Sequence, residues 1–207
     1  ISVFSPQRHS YDLSFAPEAL LSPDTFDNFS FSTIPVTLSD SATQVEDLLV
    51  DVSSLRTLLV EQPLSAAPTV QSQLSRDPAR VSGSLENTSG ETLYNAMIVS
   101  GDAAQSLGDL APGARAEVDL LRSQQSFPEQ SFEASDDLFN QEQVLTTLFS
   151  YDRFTFGEPT FQGQQGMPER DGVYLLAWRF APALDLAVDG DGQIQQGMTL
   201  YLIRLNT

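Results

Sequence analysis

Val81-Ser-Gly-Ser-Leu-Glu-Asn-Thr-Ser-Gly-Glu-Thr-Leu93 is the stretch whose reading decides the fold class. Val81, Gly83 and Leu85 alternate with Ser82, Ser84 and Glu86, the period of two that a strand with one buried face requires. Asn87 to Glu91 then supplies a turn, and Leu93 to Val99 reads as the returning strand. Gly101 and Asp102 lead into a further short run that ends at Leu107. Leu110-Ala-Pro-Gly113 is a second turn, because Pro presets φ and Gly accepts φ > 0, and Ala114 to Leu120 alternates again. Short strands separated by turns at intervals of about ten residues predict an antiparallel sandwich.

Outward from this block the patterning is less regular. Toward the N-terminus, Tyr11, Leu13 and Phe15 fall on one face of a predicted strand, which Pro17 and Pro23 interrupt, while Phe26, Phe29 and Phe31 suit an irregular or edge strand. Leu48, Val50 and Val52 lie on one side of a half-buried strand, with Asp47 and Asp51 on the other. Ser53 is then expected to cap a short helical turn through Leu55, Leu58 and Leu59, ended by Pro63 and Pro68.

Toward the C-terminus one helix is expected near Gln141 to Ser150. Asn140 caps it, Gln143 follows three residues on, and Val144, Leu145, Leu148 and Phe149 recur at helical spacing. Val173 to Phe180 and Met198 to Leu205, the most apolar runs, are expected to be central or buried on both faces. The predicted fold is therefore mainly β, an antiparallel sandwich with additional strands and one short helix. Residues 1–62 are read as an N-terminal β segment packing on the rest, and the Pro-, Ser- and Ala-rich residues 63–79 as a linker. Residues 80–134 form the sandwich core, and 135–207 add the helix and C-terminal strands, continuous with the other sheets.

Composition narrows the function classes. The 207 residues carry 28 acidic and 10 basic side chains, every basic one Arg, for a net charge of −18. Polyanions are repelled by such a chain, so neither nucleic acid nor anionic head groups are expected partners. Without cysteine there is no disulfide, thiolate nucleophile or Cys-based metal site, and His9 is the single histidine. No apolar run approaches the roughly 18 residues of a membrane-spanning helix. The abrupt start at Ile1 and the end within a strand-like run suggest a piece of a larger protein, whose signal peptide or anchor would lie outside these residues.

Val81 to Leu93, followed by Leu107-Gly-Asp-Leu-Ala-Pro-Gly113 and Val118-Asp-Leu120, resembles bacterial extracytoplasmic immunoglobulin-like domains. The wider order is similar to uncharacterised membrane-anchored proteins of bacteria; it runs from Asp51-Val-Ser-Ser-Leu-Arg-Thr-Leu58 to Gly172-Val-Tyr-Leu-Leu-Ala-Trp178 and Leu200-Tyr-Leu-Ile-Arg-Leu205. The resemblance implies an extracytoplasmic location, with membrane attachment through other segments, and no reaction.

Candidate sites each meet a plainer reading. Asp189-Gly-Asp-Gly-Gln193 could offer the carboxylates of Asp189 and Asp191 to Ca²⁺, yet it lacks the remaining ligands of a calcium loop, and Asp-Gly between apolar runs reads first as a hairpin turn. His9, Ser10 and Asp12 have the residue types of a nucleophilic triad, but three neighbours on one extended segment cannot converge. Glu46 with Asp47, or Asp136 with Asp137, could serve acid–base chemistry. Trp178, Tyr174 and Tyr201 could line a sugar-binding face, although the parity of Trp178 with Tyr174 and Leu176 favours core. Asn28-Phe-Ser30 and Asn87-Thr-Ser89 match the glycosylation pattern, with Asn87 read as a turn residue. The sequence thus predicts a non-catalytic structural or protein-interaction domain with a protein partner, no metal and no cofactor. A carbohydrate-binding module and a carboxylate-dependent hydrolase are the alternatives.

Overall fold

The structure, a computed structural model, describes residues 1–23, 34–63, 67–101, 103–122, 141, 144–145, 172–184, 186–189 and 196–207. Every element whose bounds are described is a strand. The first six are β1 (Ser2–Ser5), β2 (His9–Phe15), β3 (Leu20–Pro23), β4 (Val36–Leu38), β5 (Thr43–Val50) and β6 (Ser54–Glu61). Then come β7 (Val70–Arg76), β8 (Arg80–Asn87), β9 (Leu93–Ser100), β10 (Ala103–Leu110) and β11 (Arg115–Leu121). The last three are β12 (Tyr174–Arg179), β13 (Ala187–Val188) and β14 (Thr199–Arg204). All pairings are antiparallel, and the chain forms two units, Ile1–Ala67 with Pro182–Gly197, and Pro68–Ala181 with Met198–Thr207.

The first unit holds sheets in the orders β1-β6-β3 and β13-β2-β5-β4. Leu13 and Phe15 from β2, Val45, Leu48 and Val50 from β5 and Leu58 from β6 form its core, so the alternation read in Tyr11, Leu13 and Phe15 does mark the buried face. On β5 the buried positions shift parity between Val45 and Leu48. Here Glu46 and Asp47 together oppose the single residue Asp12, a bulge in which Asp47 adopts φ 54°. Its amide, turned out of the ladder, donates to Asp12 Oδ1 at 2.8 Å.

The residues after β5 depart from expectation. Val52 is exposed in a turn, and the expected helical turn at Leu55, Leu58 and Leu59 is the strand β6. Ser53 takes φ 52° and Ser54 donates its amide to the Asp51 carbonyl, so the chain reverses at once and has no room for a helix. Within the stretch read as a linker, Val70–Arg76 forms β7 and pairs along its whole length with β8. Its alternation is regular but supplies only Val70 and Leu74 to the core, so polar composition hid it.

The second unit is sandwich-like, with sheets in the orders β11-β8-β7 and β10-β9-β12-β14. Val81 and Leu85 of β8 and Val118 and Leu120 of β11 pack against Leu93, Ala96 and Ile98 of β9, Leu175 and Ala177 of β12, and Tyr201 of β14. The opposite face of the four-stranded sheet buries Met97, Val99, Leu176 and Trp178 with Leu145. β12 is therefore central and covered on both faces, as expected. β14 is an edge strand whose Leu202 is exposed, so the same expectation does not hold for it. Gln141, Val144 and Leu145 have helical backbone, while the remainder of the expected helix lies outside the described residues.

Two local devices shape this unit. Tyr94 and Asn95 oppose the single residue Asp109, Asn95 takes φ 45°, and its amide donates to Asp109 Oδ1 at 2.9 Å, the same bulge clamp that Asp12 makes in the first unit. Gln105 on β10 stitches one sheet edge to the other: its amide oxygen accepts from the Asp119 N–H of β11 at 2.7 Å and its amide nitrogen donates to the Glu117 carbonyl at 3.2 Å. Backbone groups that an edge strand would leave open are thereby satisfied.

Candidate functional site

The acidic and nucleophilic candidates do not converge. His9 and Ser10 are exposed at the start of β2, with the His9 ring edge-on to Tyr11 at 4.7 Å, and Asp12 is occupied with the Asp47 amide. Glu46 and Asp47 are the two bulge residues of β5, where their role is backbone geometry. Asp189 follows β13 and donates its amide to the Asp12 carbonyl at 3.0 Å. Because β13 pairs with β2 and β14 with β12, the Asp-Gly run does not join two hairpin partners, and the hairpin reading is corrected. Asp191, Asp136, Asp137 and Asn28 lie outside the described residues. Among the described residues no group of three or more His, Asp or Glu is arranged to hold a metal.

The aromatic candidates are interior. Trp178 is 2% exposed, and Tyr174 and Tyr201 are also buried. Trp178 lies on the face that packs against Leu145, Tyr201 on the face between the sheets, so they form no common platform. Tyr94 and Phe180 do reach the surface side by side, with their rings 5.0 Å apart and tilted by 46°.

Tyr201 instead anchors a polar cluster. Its hydroxyl donates to Glu91 Oε1 at 3.0 Å, while Arg179 Nε lies 3.4 Å from Glu91 Oε2. Its hydrogen bond with Tyr201 and the nearby Glu91 carboxylate hold the Arg179 guanidinium protonated above its already high range. Burial, aided by Glu91, pushes the Tyr201 phenol above the usual tyrosine value, so its contribution to folding is full below about pH 10 and is lost as pH rises through the higher folded value. Glu91 and Tyr201 are separated by 110 positions, and no local signal in the sequence joins them.

Asn87 organises the turn below this cluster. Fully buried, it donates from Nδ2 to the Glu91 and Leu110 carbonyls, both at 2.8 Å, and its Oδ1 accepts from the Ser89 amide and hydroxyl. The turn reading of Asn87 is correct, and a glycan on Nδ2 is incompatible with these bonds. Replacing Asn87 with Ala would take the side-chain donor from the buried Leu110 carbonyl, leave the half-buried Glu91 carbonyl only the 3.3 Å contact of the Ser89 hydroxyl, and remove the acceptor of the Ser89 amide. We expect Asn87→Ala to lower unfolding free energy by about 2–4 kcal/mol in urea titration. A loss under about 0.5 kcal/mol would show that the network is not holding the turn.

The surface feature that sequence reading missed lies on the outer face of β1-β6-β3. Phe4 (59% exposed) sits directly across from Leu55 (54%), and Leu59 (54%) lies diagonal to Leu20 (67%). The Ser2 and Thr57 hydroxyls, 3.3 Å apart, sit between these two pairs. The outer face of an antiparallel sheet is ordinarily polar. Leu55 and Leu59 point outward while Leu58 and Val60 point inward, so β6 is apolar on both sides. That double pattern imitates a helical repeat.

These features define a mainly β, sandwich-like protein of two units with a buried polar turn network and an apolar sheet face open to solvent. Residues 69–207 match the family described as Domain of unknown function (DUF8725), and the chain belongs to that family. No curated protein and no solved structure matches the chain.

Proposed function

We propose that the chain is a non-catalytic interaction module on the outer side of a bacterial membrane, attached through segments beyond these residues, with an immunoglobulin-like second unit. Strand order supports the fold assignment: β7, β8 and β11 take the places of A, B and E on one sheet, and β10, β9, β12 and β14 those of C′, C, F and G on the other. The observation that carries the interaction role is the exposed apolar face of β1-β6-β3. Soluble chains rarely leave several large apolar side chains together in water unless another molecule covers them.

The absence of cysteine makes a direct test possible. Single variants Gln73→Cys, on the exposed side of β7, and Leu59→Cys, on the apolar face, are treated in intact native cells with a membrane-impermeant maleimide. The first should be labelled in intact cells. The second should be labelled in the purified protein but protected in cells. Labelling of Gln73→Cys only after lysis would refute the outer location, and equal labelling of Leu59→Cys in cells and in purified protein would refute the interaction role.

A further inference from the structure

Resting on that reading, we infer that the β1-β6-β3 face receives a partner protein whose contact surface is apolar at its centre and basic around it. Three occupants could cover Phe4, Leu20, Leu55 and Leu59: a second copy of this chain, a lipid surface or a different protein. Charge separates them. Glu61 lies opposite Leu20 on the sheet and Glu18 is exposed just before β3, so the charge beside the Leu20 and Leu59 end of the face is acidic. At the other end Asp51 and Arg8 lie 3.6 Å apart and offset each other.

A second copy would bring the same acidic rim, and a further −18, within a distance that salt does not fully screen, since the Debye length is about 8 Å at 0.15 M. An anionic leaflet is opposed in the same way, and no Lys or Arg extends outward from these strands among the apolar residues to hold head groups. A protein with Lys or Arg surrounding Leu, Ile, Phe or Met relieves the rim charge while covering the apolar centre, and like-signed partners are rejected by the same rim. The Ser2 and Thr57 hydroxyls lie between the two apolar pairs, so the partner contributes one hydrogen-bonding group near the centre of its apolar surface.

The test selects binders from a phage-displayed library of a small helical scaffold with one randomised face. Selection is on the whole purified chain, with subtraction against the double variant Leu55→Ser, Leu59→Ser. Subtraction removes binders held only by diffuse attraction to the acidic chain, and circular dichroism melting verifies that the double variant remains folded. Binders that survive should be enriched in Lys and Arg around apolar residues. They should bind the wild type at least about tenfold tighter than the double variant at about 0.15 M salt, and weaken as salt rises. Survivors with no basic excess overturn the charge inference and leave the interaction face standing. No survivors at all overturns both. Sedimentation showing a wild-type dimer that the double variant abolishes assigns the face to a second copy, and flotation with phosphatidylglycerol vesicles lost in that variant assigns it to lipid. Either result refutes the proposal.

Discussion

Gly83→Ala is expected to cost about 3–5 kcal/mol and to lower the melting temperature of the second unit by on the order of 20 °C. Gly83 sits in mid-strand on β8 at φ 140°, a conformation that L side chains rarely adopt. An added Cβ would stand 2.0 Å from the Gln73 carbonyl oxygen and 3.0 Å from the Leu74 Cα, both backbone atoms of β7. A flexible side chain could swing aside, but a paired strand cannot, so β7 must part from β8 or the substitution must distort both. Gly90 supplies the control, because a Cβ there meets nothing within 4 Å. Gly90→Ala should change stability by less than about 0.5 kcal/mol. Equal melting temperatures for the two variants would mean that β7 does not approach β8 as described.

Trp178→Ala should be comparably damaging, with a loss of about 3–5 kcal/mol in urea titration followed by circular dichroism. Trp178 is among the largest fully buried side chains, on a central strand whose two faces are both covered, so the cavity has little surrounding structure able to collapse into it. Trp178→Phe keeps most of the volume and should lose less than half as much. As the only tryptophan, Trp178 also reports on this unit alone. Its native emission should be blue-shifted and protected from acrylamide, turning red in the same transition that circular dichroism follows. Native emission at the solvated position would contradict the packing of Trp178 against Met97, Val99 and Leu176.

The parts of the fold legible in the sequence were those where one face is apolar and the other is not. Val81 and Leu85 on β8, and Tyr11, Leu13 and Phe15 on β2, announce their strands because period two has no competing explanation there. β6 did not, since Leu55, Leu58 and Leu59 fit helical spacing and only the abrupt reversal at Ser53 decides against it. β7 was hidden for the opposite reason, having too few apolar residues to mark a face. The two bulges carried a weak signal, as Asp and Asn are the non-glycine residues most tolerant of positive φ, but nothing local says that Asp12 faces Asp47 or that Asp109 faces Asn95. The Glu91, Tyr201 and Arg179 cluster and the apolar face arise from pairing between distant strands, and a single sequence does not record who pairs with whom.

The placement of β13 has a consequence for how the protein is made. After β12 the chain gives residues 182–197 to the first unit and only then returns to finish the second with β14. β2 thus waits for an edge partner encoded about 125 residues beyond β6, which at a ribosome speed of about 5–20 residues per second is roughly 6–25 s. Throughout that interval Leu186 and Val188 are missing from the first core, and the β2 edge near Leu13 and Ser14 is unpaired. The N-terminal unit is the first to emerge yet cannot be completed before most of its neighbour exists. Final assembly of the first unit therefore has to wait until β13 itself has emerged.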